Sequence, residues 1–140
     1  MKKSQFTIST EVLPGNVIVT HGIAGILVEG EKLDGYHIRA LWDTGATTSA
    51  ISDKIVTLLK PEFLRQHTVD TAHGGPTVLS SYSNISFMLA DGLVFTPRST
   101  DAVDLEGQPI DAVIGMDIIS MGRFLLEPKP DGGTKFTFTL

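Results

Sequence analysis

The stretch Tyr36-His37-Ile38-Arg39-Ala40-Leu41-Trp42-Asp43-Thr44-Gly45-Ala46-Thr47-Thr48-Ser49-Ala50-Ile51-Ser52 decides how this chain folds. Its first seven residues alternate. Tyr36, Ile38, Ala40 and Trp42 fall on one face of a strand, with His37, Arg39 and Leu41 on the other. The strand runs straight into small residues, so Asp43 stands at its end. Gly45 permits an unusual backbone conformation or a close approach, Ala46 keeps the space open, and the Thr44 hydroxyl is available to lock the loop. A carboxylate held this way meets a substrate without obstruction, and one buried there with no role would cost stability. Asp, Thr and Gly are also ordinary turn residues, so the tripeptide takes its meaning from its surroundings.

Working outward, strand signals dominate. Fourteen glycines and seven prolines punctuate short apolar runs, the pattern of a mostly-β chain. Ile23 to Glu29 is expected as a strand before the quoted stretch. After it, Ser52 is expected to cap a short helix with Ile55, Leu58 and Leu59 at helical spacing, ended by Lys60-Pro61. His67 to Thr77 is polar and reads as a loop or hairpin tip. Ile85, Phe87 and Leu89 alternate on a strand, Asp91-Gly92 turns, and Leu93 and Phe95 return. Asp101 to Pro109 reads as a polar loop. Ile110 to Gly115 is a second apolar strand ending in glycine, and Asp117 is expected to cap one helical turn, Ile118 to Met121. Phe124 to Leu126 and Phe136 to Leu140 flank Asp131-Gly132-Gly133 as a closing hairpin.

Two of these segments carry a resemblance. An apolar strand, Asp43-Thr44-Gly45-Ala46, small polar residues, then Ile51-Ser52 is similar to the active-site segment of the retropepsin-like (retroviral-type) aspartic proteases. Ile110-Asp111-Ala112-Val113-Ile114-Gly115-Met116-Asp117-Ile118-Ile119 fits that family's second element: an apolar strand ending in Gly, one residue, Asp or Asn, then two apolar residues opening a short helix. The resemblance covers roughly residues 22–127. Retroviral members usually carry Asp and Arg where this chain has Thr47 and Met116, so the pattern is closest to the cellular single-lobed group, such as the protease domain of DNA-damage-inducible proteins.

The resemblance implies a mostly-β, single-lobed acid-protease barrel with one or two short helices, a single domain over residues 1–140. It implies an aspartic endopeptidase in which Asp43 is catalytic and Thr44 and Gly45 complete the active-site loop. Ala46, Thr47, Thr48 and Val113 are expected to line the cleft. His73, Gly74 and Gly75, in Thr71-Ala72-His73-Gly74-Gly75-Pro76-Thr77, lie where the family's flap folds over substrate. Asp111 is expected to be structural or peripheral, and not catalytic. Hydrolysis by this chemistry needs two carboxyl groups, one acting as base on a water and the other polarising the carbonyl. The chain has one Asp-Thr-Gly, and 140 residues leave no room for a second lobe. The expected partners are therefore a second copy, in a homodimer, and a peptide or protein substrate.

Other classes find less support. With no cysteine, disulfides and thiolate metal sites are excluded. The net charge of −5 argues against nucleic acid as a partner. His21, His37, His67 and His73 lack the short spacings of zinc ligands and read as surface or loop residues. There is no Gly-x-Ser-x-Gly and no phosphate-loop Lys-Ser/Thr. No cofactor or metal is expected. The absence of a signal peptide and of a membrane span points to the cytoplasm. The rival reading is a catalytically silent, dimeric peptide-binding module with the same fold.

Overall fold

The structure, a computed structural model, describes residues 7–13, 17–71 and 74–140. Along the chain run β1 (Thr7–Glu11), β2 (Val19–Ile26), β3 (Gly35–Trp42), β4 (Ala50–Ser52) and helix α1 (Asp53–Leu59). Next come β5 (Glu62–Thr71), β6 (Gly75–Ser83), β7 (Ile85–Ala90), β8 (Leu93–Phe95) and β9 (Thr100–Val103). The chain closes with β10 (Ala112–Ile114), helix α2 (Met116–Ile119), β11 (Arg123–Pro128) and β12 (Thr134–Thr139). Nine strands form one sheet in the order β5-β6-β9-β4-β10-β3-β2-β7-β8, and β1-β12-β11 form a second. The mostly-β architecture with two short helices is the one expected. The outer strands β5 and β8 are not paired with each other among the described residues, so the large sheet folds over its core without backbone closure.

The alternation along β3 sets the core. Ile38, Ala40 and Trp42 are buried, whereas His37 and Arg39 are exposed. Tyr36, at the strand's open end, is exposed as well. Trp42 packs on Phe136 and Phe138, with ring centroids 5.1 and 4.9 Å away, which joins the small sheet to the large one. Its indole N–H donates to Thr20 Oγ1 at 2.8 Å, so the buried ring leaves no polar atom unpaired. Ile85, Phe87 and Leu89 of β7 face the same core, and Leu93 and Phe95 return after the Asp91-Gly92 turn as expected. Burying each large apolar side chain contributes about 2–3 kcal/mol. At the edge, Lys129 donates to Glu11 and to Asp131, tying β1 to the β11–β12 turn. The Glu11 bond is the main reason that the Lys129 pKa is raised, and the Gly133 N–H is the main reason that the Asp131 pKa is lowered.

Several boundaries depart from the sequence reading. Instead of Ile23 to Glu29, β2 runs from Val19 to Ile26, and Leu27 and Val28 are exposed in the turn. The reason is close backbone approach: a Cβ on Gly35 would stand 2.0 Å from Ala24 O, and one on Gly25 would stand 2.3 Å from Asp34 O. In α1, Ser52 occupies the N-cap position but makes no side-chain cap bond. The helix buries Ile55 and Val56 and leaves Leu58 exposed, because its inward stripe is one position off the expected one. The segment 67–77, expected as a loop or hairpin tip, is the tip end of the β5–β6 hairpin and is mostly strand, and the expected loop from Asp101 is strand as far as Val103. Both are polar strands, and polarity disguised them. No helix among the described residues is long and apolar enough to cross a membrane.

Candidate active site

Sequence separates the two motif segments by about seventy residues, and the sheet brings them together. β3 and β10 pair in parallel, with Ala112 beside Ala40, Val113 beside Leu41 and Ile114 beside Trp42. Both strands therefore deliver their following loops to the same end of the sheet. There the loops are stitched by backbone bonds: Asp43 N–H to Ile114 O at 2.9 Å, Met116 N–H to Ala46 O at 2.7 Å, and Asp117 N–H to Thr47 O at 3.2 Å.

Asp117 does not cap a turn over Ile118 to Met121, because α2 starts at Met116 with Gly115 in the N-cap position. Its carboxylate is directed mainly across to the other loop. Oδ1 accepts from Ser49 Oγ at 2.7 Å and from Ile118 N–H at 2.9 Å, and Oδ2 accepts from Ser49 N–H at 3.0 Å. Ser49 Oγ in turn accepts from Gly115 N–H at 3.0 Å. Ser49 is fully buried, so this small polar net replaces water for its N–H and hydroxyl. Gly115 has no room for a side chain: its Cβ would stand 2.8 Å from Thr48 O and 2.9 Å from Ala46 O. These are backbone atoms that cannot swing away. Gly115→Ala is therefore expected to destabilise the chain by about 2–3 kcal/mol, read as a lowered urea midpoint.

The clamp holds the Asp43 loop and leaves its carboxylate outside. Asp43 is exposed, and its Oδ1 accepts from Gly45 N–H at 2.9 Å. A Cβ on Gly45 would stand 3.2 Å from that same oxygen, so glycine keeps the carboxylate uncrowded. Two expectations need correction here. In the single chain Asp43 is not buried, so a burial cost does not argue for its role. The Thr44 hydroxyl, expected to lock the loop, is exposed and makes no hydrogen bond among the described residues.

Beside the loop lies a cleft of about 510 Å³. Gly45, Ala46, Thr47 and Thr48 line it, and Val113 adds the apolar wall expected of it. Its other walls come from the β5–β6 hairpin, from β9 and from the loop after it: His67, Val69, Asp70, Leu79, Asp101, Val103 and Leu105, with Ala50 of β4. The lining is mainly apolar and, among the described residues, contains no Lys or Arg. Gly74 and Gly75 lie at the hairpin tip, outside the described lining of this cleft, and Gly75 has φ +74°. His73 lies outside the described residues. Asp111 accepts from Arg39 N–H at 2.8 Å and lies 3.4 Å from Arg39 Nε, contacts that tie it to β3.

With this geometry, similarity to known proteins becomes informative. The sequence matches the aspartyl protease family over residues 31–118, which includes both motif loops and the hairpin between them. The chain belongs to the aspartyl protease family. The fold of this aspartyl protease family member is similar to the crystal structure of a retropepsin-like aspartic protease from Rickettsia conorii, with a TM-score of 0.56 at 14% identity. That likeness covers 99% of this chain and 98% of the other. No curated protein sequence matches the chain.

What the sequence reading missed in this family member is the far wall. His67 was expected on a surface or loop; it is half-buried on β5 and bonded to Asp101. His67, Val69, Leu79 and Ser81 follow a two-residue alternation on the hairpin's inner side, and that period was the available signal. His21 and His37 are exposed and stacked on each other, with centroids 5.0 Å apart. Among the described residues no group of three His, Asp or Glu is placed to hold a metal.

Proposed function

We propose that the protein is an aspartic endopeptidase whose active site is completed by a second copy of the chain, each contributing one Asp43. The observation that carries this reading is the exposed Asp43 carboxylate, presented by a loop that the Ser49–Asp117 net clamps rigidly beside a mainly apolar cleft. Asp43 and Thr44 are both exposed in the single chain, as residues of a half-site must be.

Two Asp43 side chains facing each other across a two-fold axis cannot both ionise easily, so the pair shares one proton. The ionised member accepts a proton from water as the water oxygen bonds to the peptide carbonyl carbon. The protonated member donates to the carbonyl oxygen, giving a tetrahedral gem-diol. Proton transfer to the amide nitrogen then lets the C–N bond break, releasing a carboxylic acid and an amine, and the pair again holds one proton. The Gly74-Gly75 tip is proposed as the flap that closes over bound peptide, with Ala46, Thr47, Thr48 and Val113 contacting its side chains. The pattern at Thr47 and Met116 places the chain, in this reading, near the cellular single-lobed group.

The test is incubation of wild type and Asp43→Asn with a mixed peptide library at acid and neutral pH. Cleavage by wild type alone supports the proposal. Peptide binding without cleavage at any pH would favour the silent binding module, and equal cleavage by both proteins would remove Asp43 from the chemistry.

A further inference from the structure

The hairpin that walls the cleft is weakly tied to the rest of the sheet on its outer side. Among the described residues β5 is an edge strand whose backbone partner is β6. A side chain crosses from it to the strand beyond. His67 Nε2 lies 2.8 Å from Asp101 Oδ1, on β9, reaching past β6. Ser81 of β6 sits between them, fully buried, and its hydroxyl donates to the same Oδ1 at 2.6 Å. Strands lie about 4.8 Å apart, so the contact spans roughly 10 Å from β5 to β9, within reach of a histidine and an aspartate together.

The chemistry of the contact fixes its polarity. An ionised carboxylate only accepts, so Nε2 carries the proton and donates, whatever the state of Nδ1. Asp101 is more than nine-tenths buried, and among the described residues no Lys or Arg pairs with it. His67 and Ser81 supply the hydrogen bonds that replace water at its carboxylate. On its other side Asp101 is joined to the catalytic end of the sheet: its N–H donates to Ser49 O at 3.2 Å, and Ser49 is the centre of the clamp on the Asp43 loop. His67 itself lines the cleft.

We infer that His67 is a positioning residue, which through Asp101 fixes the cleft-facing hairpin to the strand behind the Asp43 loop and so sets the wall against which peptide binds. This rests on the protease reading for its substrate, but the contact can be tested without cleavage.

The experiment compares His67→Leu with His67→Gln, the first lacking a donor and the second keeping an N–H at similar reach. Amide hydrogen exchange reports the hairpin, and affinity for peptides from the library is measured in an Asp43→Asn background. Loss of a hydrogen bond to a charged group corresponds to about a tenfold effect or more. His67→Leu is therefore expected to speed exchange in β5 and β6 about tenfold relative to β2 and β3, and to weaken peptide binding by a similar factor. His67→Gln is expected to restore both to within about threefold of the parent. Unchanged hairpin exchange in His67→Leu overturns the inference. So does a uniform rise in exchange across all strands with peptide affinity unchanged, since that describes a purely structural histidine. An Asp43→Asn parent that binds no peptide overturns the cleft reading as well, whereas binding without wild-type cleavage sinks the protease proposal alone.

Discussion

Asp43→Asn is expected to lower peptide hydrolysis by about 10³- to 10⁴-fold while leaving the chain folded, because it removes the base that activates water and the acid that polarises the carbonyl. In a homodimer the one substitution changes both members of the pair. The fold should be indifferent to it. Asp43 is exposed, and asparagine retains an oxygen to accept from Gly45 N–H, the bond that shapes the loop. Exposed substitutions of this kind stay within about 0.5 kcal/mol. Two neutral amides also repel less across an axis than two carboxyl groups, so dimer association should be unchanged or tighter. The check is kcat/KM on a cleaved library peptide together with a thermal melt. Loss of activity accompanied by unfolding would mean that Asp43 is structural.

Asp117→Ala is expected to be the most damaging single change to stability near the site, at about 3 kcal/mol. The alanine removes three acceptor contacts and strands the N–H of Ser49, a residue with no access to water. For a chain of this length that corresponds to a fall in Tm of roughly 10 °C. Because Ser49 also receives Gly115 N–H, both motif loops loosen together, and activity should fall further than the melt alone explains. Asp117→Asn should cost only about 1 kcal/mol, for a reason that can be traced atom by atom. Its oxygen can accept from Ser49 N–H and its amide can donate to Ser49 Oγ, while Ile118 N–H keeps Gly115 O at 3.1 Å, so the Ser49 O–H is the one donor left without its acceptor. Calorimetry on both variants checks the order, and equal losses for Ala and Asn would refute the proposed net.

These two residues also mark how far the sequence could be read. Asp43 and the Gly115–Asp117 segment were legible because the apolar period of β3 and the Gly-x-Asp pattern after β10 are local signals. What they do to each other was not, since it depends on the parallel pairing of β3 with β10, a contact between distant segments. Asp117 was read as a cap because capping is the commonest use of an aspartate before a helical turn. Only the neighbouring loop shows that Ser49 takes its carboxylate instead. The far wall was hidden for a different reason. β6 and β9 carry Ser81, Thr100 and Asp101 inside the sheet, and the two-residue alternation of the wall mixes His67 and Ser81 with Val69 and Leu79, so an apolar pattern alone does not reveal it. A histidine in such a strand looks like a loop residue until its partner is seen.

If one Asp43 is half a site, mixing wild-type and variant subunits must silence the wild-type chain. A fixed trace of wild-type chain is equilibrated with increasing Asp43→Asn chain until subunits have exchanged, and hydrolysis per wild-type chain is followed. The account predicts that this rate falls toward zero as each wild-type subunit becomes paired with a variant one. A rate per wild-type chain that stays constant at any excess of the variant would contradict it.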